Sequence, residues 1–176
     1  SVISTYGEYE TQSNQETTIN KKKNQKITKK NYQLIKNEKE IEKWLKYAEE
    51  AGEFAIDTET NSLDPHQAQL IGISISNEIG KACYIPLNHL NGNNLEEKKV
   101  LNILKPYLED KSIKKIGQNI KFDYIIFYHR GIDINCMEDT MLMSYSLDAG
   151  KNRHNMDTLS EIHLGHKTIK FKDLVG

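Results

Sequence analysis

The segment Phe54-Ala55-Ile56-Asp57-Thr58-Glu59-Thr60 runs an apolar stretch straight into two carboxylates at i and i+2. The two-residue period of a β-strand puts Asp57 and Glu59 on one face. Carboxylates so close repel each other and resist joint ionisation unless a cation lies between them. A hard divalent ion such as Mg²⁺ or Mn²⁺, which takes oxygen ligands, answers that need. A solvated strand end, with the two acids capping a turn, has the same spacing. A third acid, Asp123, lies in Gly117-Gln118-Asn119-Ile120-Lys121-Phe122-Asp123, where a strand ends at Gly117 and a helix starts at Asn119. Asp123 falls one turn into that helix, so it fits a third ligand approaching from beside the first strand. It equally fits a surface Asp paired with Lys121 or Lys115. His89, His129, His163 and His166 show no metal-ligand spacing with Cys83 and Cys136. The chain has no Gly-rich phosphate loop and no Ser nucleophile elbow.

The elements that must hold these acids are legible from periodicity. Tyr32 to Ile35 reads as a short strand. Asn37 caps a helix with Glu40 as its capping-box partner. Ile41, Trp44, Leu45 and Ala48 form one helical face, and Gly52 ends it. Phe54 to Asp57 is a strand. Ile71, Ile73 and Ile75 alternate with Gly72, Ser74 and Ser76 as a second, half-buried strand. Ala82 to Ile85 is a third, stopped by Pro86. Leu95 to Leu104 is an amphipathic helix and Lys114 to Gly117 a short strand. The helix from Asn119 is expected to bury Phe122, Ile125 and Ile126 and to end at Gly131. Glu138–Leu147 and Asp157–Leu164 read as further helices. Strands in hairpin order followed by alternating helix and strand predict an α/β fold, a mixed sheet flanked by helices.

Composition bounds the partners. The 176 residues carry 24 Lys and Arg against 25 Asp and Glu, a net charge of −1. No global basic field draws nucleic acid, which must be held by a local patch or through metal ions. Residues 1–31 are mostly Ser, Thr, Asn, Gln and Glu with isolated apolar residues, followed by Lys21, Lys22, Lys23, Lys26, Lys29 and Lys30. They read as a polar linker with too little apolar surface to offset its ordering entropy. Residues 32–176 form the one domain. No apolar stretch is long enough to span a bilayer, and no secretory h-region follows the N-terminus. Two cysteines make no disulfide framework and fit a reducing cytosol. The start at Ser1 reads as an excised piece of a longer chain.

The chain resembles the 3′–5′ exonuclease (proofreading) domain of bacterial DNA polymerase I, within the DEDD exonuclease superfamily. The match rests on Asp57-Thr58-Glu59-Thr60-Asn61-Ser62-Leu63-Asp64 and Gly117-Gln118-Asn119-Ile120-Lys121-Phe122-Asp123. It continues through Asp139-Thr140-Met141-Leu142 and Arg153-His154-Asn155-Met156-Asp157-Thr158-Leu159 to His166-Lys167-Thr168-Ile169-Lys170-Phe171. The resemblance implies a ribonuclease H-like fold with a five-stranded mixed sheet, truncated before its last helices. It implies two divalent cations, Mg²⁺ or Mn²⁺, with Asp57, Glu59 and Asp123 among their ligands, the second site incomplete in these 176 residues and their activity weak or absent. It makes Leu63 a wedge beside the terminal base, and Gln118 and Asn119 contacts to the substrate backbone, with Phe122 at an aromatic position there. Thr58 and His154 join the nucleic-acid contacts, Arg153 a phosphate contact and Phe171 a stacking contact to a single strand.

The implied partners are the 3′ end of single-stranded DNA and a polymerase domain that follows in the intact chain. No membrane is implied. The protein would be a monomer in the bacterial cytoplasm, releasing nucleoside 5′-monophosphates. A ribonuclease D-like RNA exonuclease and an inert DNA-binding scaffold are the alternatives. One departure stands out: the family carries a fourth acid, and a Tyr four residues before it, on a later helix that would lie beyond Gly176. Tyr145 and Asp148 are spaced one short and read as packing and as a helix-end polar residue. Asp139 reads as an N-cap.

Overall fold

The computed structural model describes residues 31–169. Among them are strands β1 (Tyr32–Leu34), β2 (Glu53–Thr60), β3 (Leu70–Glu78), β4 (Lys81–Pro86), β5 (Lys114–Gly117) and β6 (Met137–Asp139). The helices are α1 (Glu38–Ala51), α2 (Glu97–Glu109), α3 (Ile120–Tyr128), α4 (Thr140–Asp148) and α5 (Met156–Leu164). One mixed sheet has the order β1-β4-β3-β2-β5-β6. The pairings make β3 antiparallel to its neighbours β2 and β4, and every other pair parallel. The carboxyl ends of β2, β5 and β6 therefore open on the same side, where α/β sheets place their ligands.

The sheet has one strand more than expected. Glu138 and Asp139, read from sequence as the start of a helix, instead join Met137 in a strand on β5, Lys115 opposite Met137 and Gly117 opposite Asp139. Three residues are too few to show alternation, so only the pairing reveals the strand. β2 runs on to Thr60 because Asp57, Thr58 and Glu59 continue the ladder with Ser74, Ile73 and Gly72. Helix α2 runs past Leu104 to Glu109 with Pro106 in its last turn. The Nζ of the fully buried Lys115 donates to the carbonyls of Tyr107, Asp110 and Ile113, and so satisfies the end of that helix. The Asn37 cap of α1 forms as read, Oδ1 accepting from Glu40 N at 3.2 Å, while the Glu40 carboxylate reaches back to Lys36 N at 2.9 Å rather than to Asn37 N.

Strand alternation sorts the sheet into two faces. Phe54, Ile56, Ile73, Ile75 and Ile85 join Ile41, Leu45 and Ala48 of α1 and Val100, Leu104 and Leu108 of α2 in one core. The intervening positions, Ala55, Asp57, Ser74, Ser76 and Tyr84, stay half-buried on the other face. Helix α3 buries Ile120, Ile126 and Phe127. Phe122 and Ile125 are only partly buried, against expectation, because Phe122 turns into the cleft described below. No described helix is long and apolar enough to cross a membrane.

Candidate active site

A cleft of about 450 Å³ opens at the carboxyl ends of β2 and β5. Asp57, Thr58, Glu59, Leu63, Gln118, Asn119, Phe122 and Asp123 all line it, together with Thr60, Asn61 and Ser62. Two motifs some sixty positions apart thus meet in one place. β2 brings Asp57 and Glu59, which share a face as the strand period requires. The turn from β5 into α3 brings Gln118, Asn119 and Asp123.

That turn is held by two devices. Gly117 must lack a side chain, since a Cβ there would lie 2.8 Å from Ile120 Cβ. Asn119 sits in the left-handed region at φ 59°, so the chain reverses sharply into α3. The acceptor for this bend is Asp139, whose Oδ1 takes Asn119 N at 3.0 Å and whose Oδ2 takes Ile120 N at 3.1 Å. The same Oδ1 accepts from Met141 N at 2.9 Å and Leu142 N at 3.4 Å, at the start of α4. Asp139 is the N-cap the sequence suggested, and it also anchors α3. Local patterning could not show that second role, because the partners lie twenty residues upstream.

Asp123 is only 2% exposed and pairs with neither Lys121 nor Lys115. Its Oδ1 accepts from Thr58 N at 2.8 Å and from Thr58 Oγ1 at 2.6 Å. The parallel pairing of β2 with β5 ends at Ala55, which leaves the Thr58 amide to α3. Thr58, expected among the nucleic-acid contacts, is buried on the cleft floor with both donors given to Asp123.

The electrostatics are those of crowded acids. Burial, then the charges of Asp123 and Glu59, push the Asp57 carboxyl up to about 7. Burial also raises Asp123, against the lowering effect of the Thr58 hydrogen bonds, and the Asp139 charge adds to the rise. Among the described residues, no Lys or Arg lines the cleft. The donor chemistry is therefore carboxylate oxygen, the type a hard divalent cation takes, although among the described residues no three such groups stand in an arrangement that would hold one as placed.

The remaining expected residues divide. Leu63 is 96% exposed at the cleft rim. The Gln118 side chain is spent within the protein: Nε2 donates to His154 O at 2.7 Å and Oε1 accepts from Thr140 Oγ1 at 2.6 Å. His154 is buried, 3.8 Å between ring centroids from Tyr145, with Nδ1 2.7 Å from Ser144 Oγ, and does not reach the cleft. Arg153 is exposed on the segment between α4 and α5, outside the cleft lining. Phe171 lies outside the described residues. Tyr145 packs on His154, and Asp148 ends α4 paired with Lys151 at 2.6 Å, as read.

Comparison with known proteins gives the family and the fold. A family model described as 3′–5′ exonuclease matches residues 32–176. The chain is 39% identical over 165 residues to DNA polymerase I of Rhizobium leguminosarum and 40% identical over 151 residues to that of Pseudomonas aeruginosa. Both alignments cover 82% of this chain but only 16% of the relative's length. Among solved structures, Escherichia coli RNase D superposes with a TM-score of 0.64 at 19% identity, over 81% of this chain and 36% of that one. Brucella melitensis NrnC with bound Mg²⁺ gives 0.58 at 24% identity, over 78% and 62%. These likenesses establish a ribonuclease H-like fold, here with six strands. With the family model spanning the whole domain, the chain belongs to the 3′–5′ exonuclease family found in DNA polymerase I.

Proposed function

We propose that this domain removes nucleotides from the 3′ end of single-stranded DNA, with Asp57, Glu59 and Asp123 holding two divalent cations, Mg²⁺ or Mn²⁺. The observation that carries the reading is that Asp57, Glu59 and Asp123 line one cleft, where burial and the other two charges push the Asp57 carboxyl up to about 7; among the described residues no basic side chain lines it, and no three acids stand in an arrangement that already holds an ion. Bound there, the cations supply a water activated for attack on the scissile phosphate and charge neutralisation at the leaving oxygen. The chain's own residues do the rest. Thr58 fixes the Asp123 carboxylate, Asp139 sets the turn that presents it, and Asn119 offers its side chain at the mouth. Leu63, almost wholly in solvent, is placed to wedge against a terminal base, and Phe122 adds an apolar wall. Arg153 and Phe171 remain proposed contacts to the strand. In the intact polypeptide we place a polymerase domain after this one, in a monomer working in the bacterial cytosol. Residues 1–31 serve as a linker.

The test is hydrolysis of a 5′-labelled oligonucleotide in Mg²⁺ and in Mn²⁺, with deoxyribose and ribose strands compared. Stepwise shortening from the 3′ end, faster on DNA and lost in Asp57→Asn, is expected weakly from these 176 residues and fully from a polypeptide extended to supply the fourth acid. Preference for the ribose strand would turn the reading toward RNA. Binding without hydrolysis would leave a scaffold.

A further inference from the structure

The sheet beside Glu59 holds a pair of side chains that the three acids do not explain. The Tyr84 phenol oxygen on β4 and His89 Nε2, just past that strand, lie 2.7 Å apart. Their rings meet edge-on at 5.6 Å between centroids. His89 is itself pinned: its N–H donates to Asn94 Oδ1 at 3.0 Å and its carbonyl accepts from Asn94 Nδ2 at 2.8 Å.

Register locates the phenol. Asp57, Ser74 and Tyr84 stand opposite one another across β2, β3 and β4, and the next row on that face is Glu59, Gly72 and Pro86. Tyr84 leans from its own row into the next. A Cβ built on Gly72 would fall 2.0 Å from the phenol oxygen and 2.3 Å from Cζ. The ring thus crosses β3 over the one residue that leaves it room, and that residue is the cross-strand partner of Glu59. The Glu59 charge reaches the phenol, raising its pKa beyond the effect of burial. A tyrosine kept only for packing needs neither a pinned histidine on its oxygen nor a glycine beneath its ring. With His89 donating Nε2–H, the phenol oxygen accepts and its own proton is free to turn toward Glu59.

We propose that Tyr84 is a positioning residue of the metal site, held by His89 over Gly72 so that its hydroxyl orients the Glu59 carboxylate through a bridging water. The inference rests on Glu59 being a metal ligand. An outer partner of this kind fixes the ligand's direction, and its loss typically lowers metal affinity about 10–100-fold; through a water, the lower end is expected.

The experiment is Mn²⁺ titration of the full chain by calorimetry, checked by the loss of the free-ion signal in electron paramagnetic resonance. Tyr84→Phe is expected to weaken Mn²⁺ about tenfold while the metal-free thermal midpoint moves by no more than about 2–4 °C. Gly72→Ala, which pushes the ring aside, should give a similar loss, and the double variant no further one. His89→Leu should resemble Tyr84→Phe, whereas His89→Gln, whose amide still donates, should keep most of the affinity. Wild-type affinity in both Tyr84→Phe and His89→Leu overturns the inference and returns Tyr84 to packing. Failure of the wild type to bind Mn²⁺, or binding indifferent to Asp57→Asn, overturns the metal-site reading and this inference with it.

Discussion

Asp123 on α3 takes both the amide and the hydroxyl of Thr58 on one carboxylate oxygen, joining residues 65 positions apart in sequence. The pair fixes a buried acid against the strand that carries the other two. Thr58→Val keeps the side chain's shape and removes one donor. Hydrogen bonds to charged groups are worth about 1.5–3 kcal/mol. We expect a loss of stability of that order and a drop in exonuclease rate of about tenfold or more. Denaturant unfolding and single-turnover cleavage measure the two.

Asp57→Asn should abolish cleavage, because a proposed ligand is lost while the volume is kept. Without metal it should also stabilise the fold above pH 7, where the native acid must ionise in a half-buried, negatively charged site. The gain should be about 1–2 kcal/mol, well below full linkage because the group is partly solvated. A lower thermal midpoint in metal-free buffer would show that Asp57 is a structural residue instead.

The pH profile follows from the direction of that shift. Asp57 is raised from its usual 3.8 to about 7, so the folded state holds a proton that the unfolded chain has already released. Its stabilising contribution is complete below about pH 4, is lost as pH rises toward 7, and is flat above. Metal binding runs the other way: below pH 7 a cation must displace that proton. Mn²⁺ affinity should rise with pH up to about 7 and then level. Titrations at pH 5.5, 6.5 and 7.5 check this.

Asp139→Ala removes the acceptor for four backbone amides at two helix starts. One lost N-cap costs about 0.5–2 kcal/mol, so the pair should cost about 1–4 kcal/mol. Hydrogen exchange should show the loss at Ile120, Met141 and Leu142 before it reaches the core of β2.

Leu63→Ala should leave stability within about 0.5 kcal/mol, as befits a side chain in solvent. A wedge role predicts slower release of the terminal nucleotide from duplex ends, where a base must be peeled away, with little change on single strands. Equal effects on both substrates would count against it.

Much of this was legible in sequence because it is periodic or local. The faces of β3 and α1, the Asn37–Glu40 cap and the strand at Lys114–Gly117 are patterns of near neighbours. The three acids were legible because the motifs around Asp57 and Asp123 resemble a known family. Three things escaped. β6 is too short to alternate. Lys115 has a charged name and a fully buried place, which only its three carbonyl partners explain. Gln118 and His154 carry substrate-facing types, yet their side chains and carbonyls are tied to one another and to Thr140 and Ser144. A motif gives residue types; which way a side chain turns depends on contacts between distant segments.

The Asp139 carboxylate, finally, bears on when this enzyme comes into being. A chain leaves the ribosome N-terminus first, and domains fold as units when their last necessary segment has emerged. All three acids precede Asp139, yet the bend that aims the third of them has no acceptor until Asp139 arrives. A nascent chain therefore carries the acids for some time without holding them in order. Ordering of the third acid therefore waits on the docking of a single late strand, whatever else the chain must still add before it can cleave.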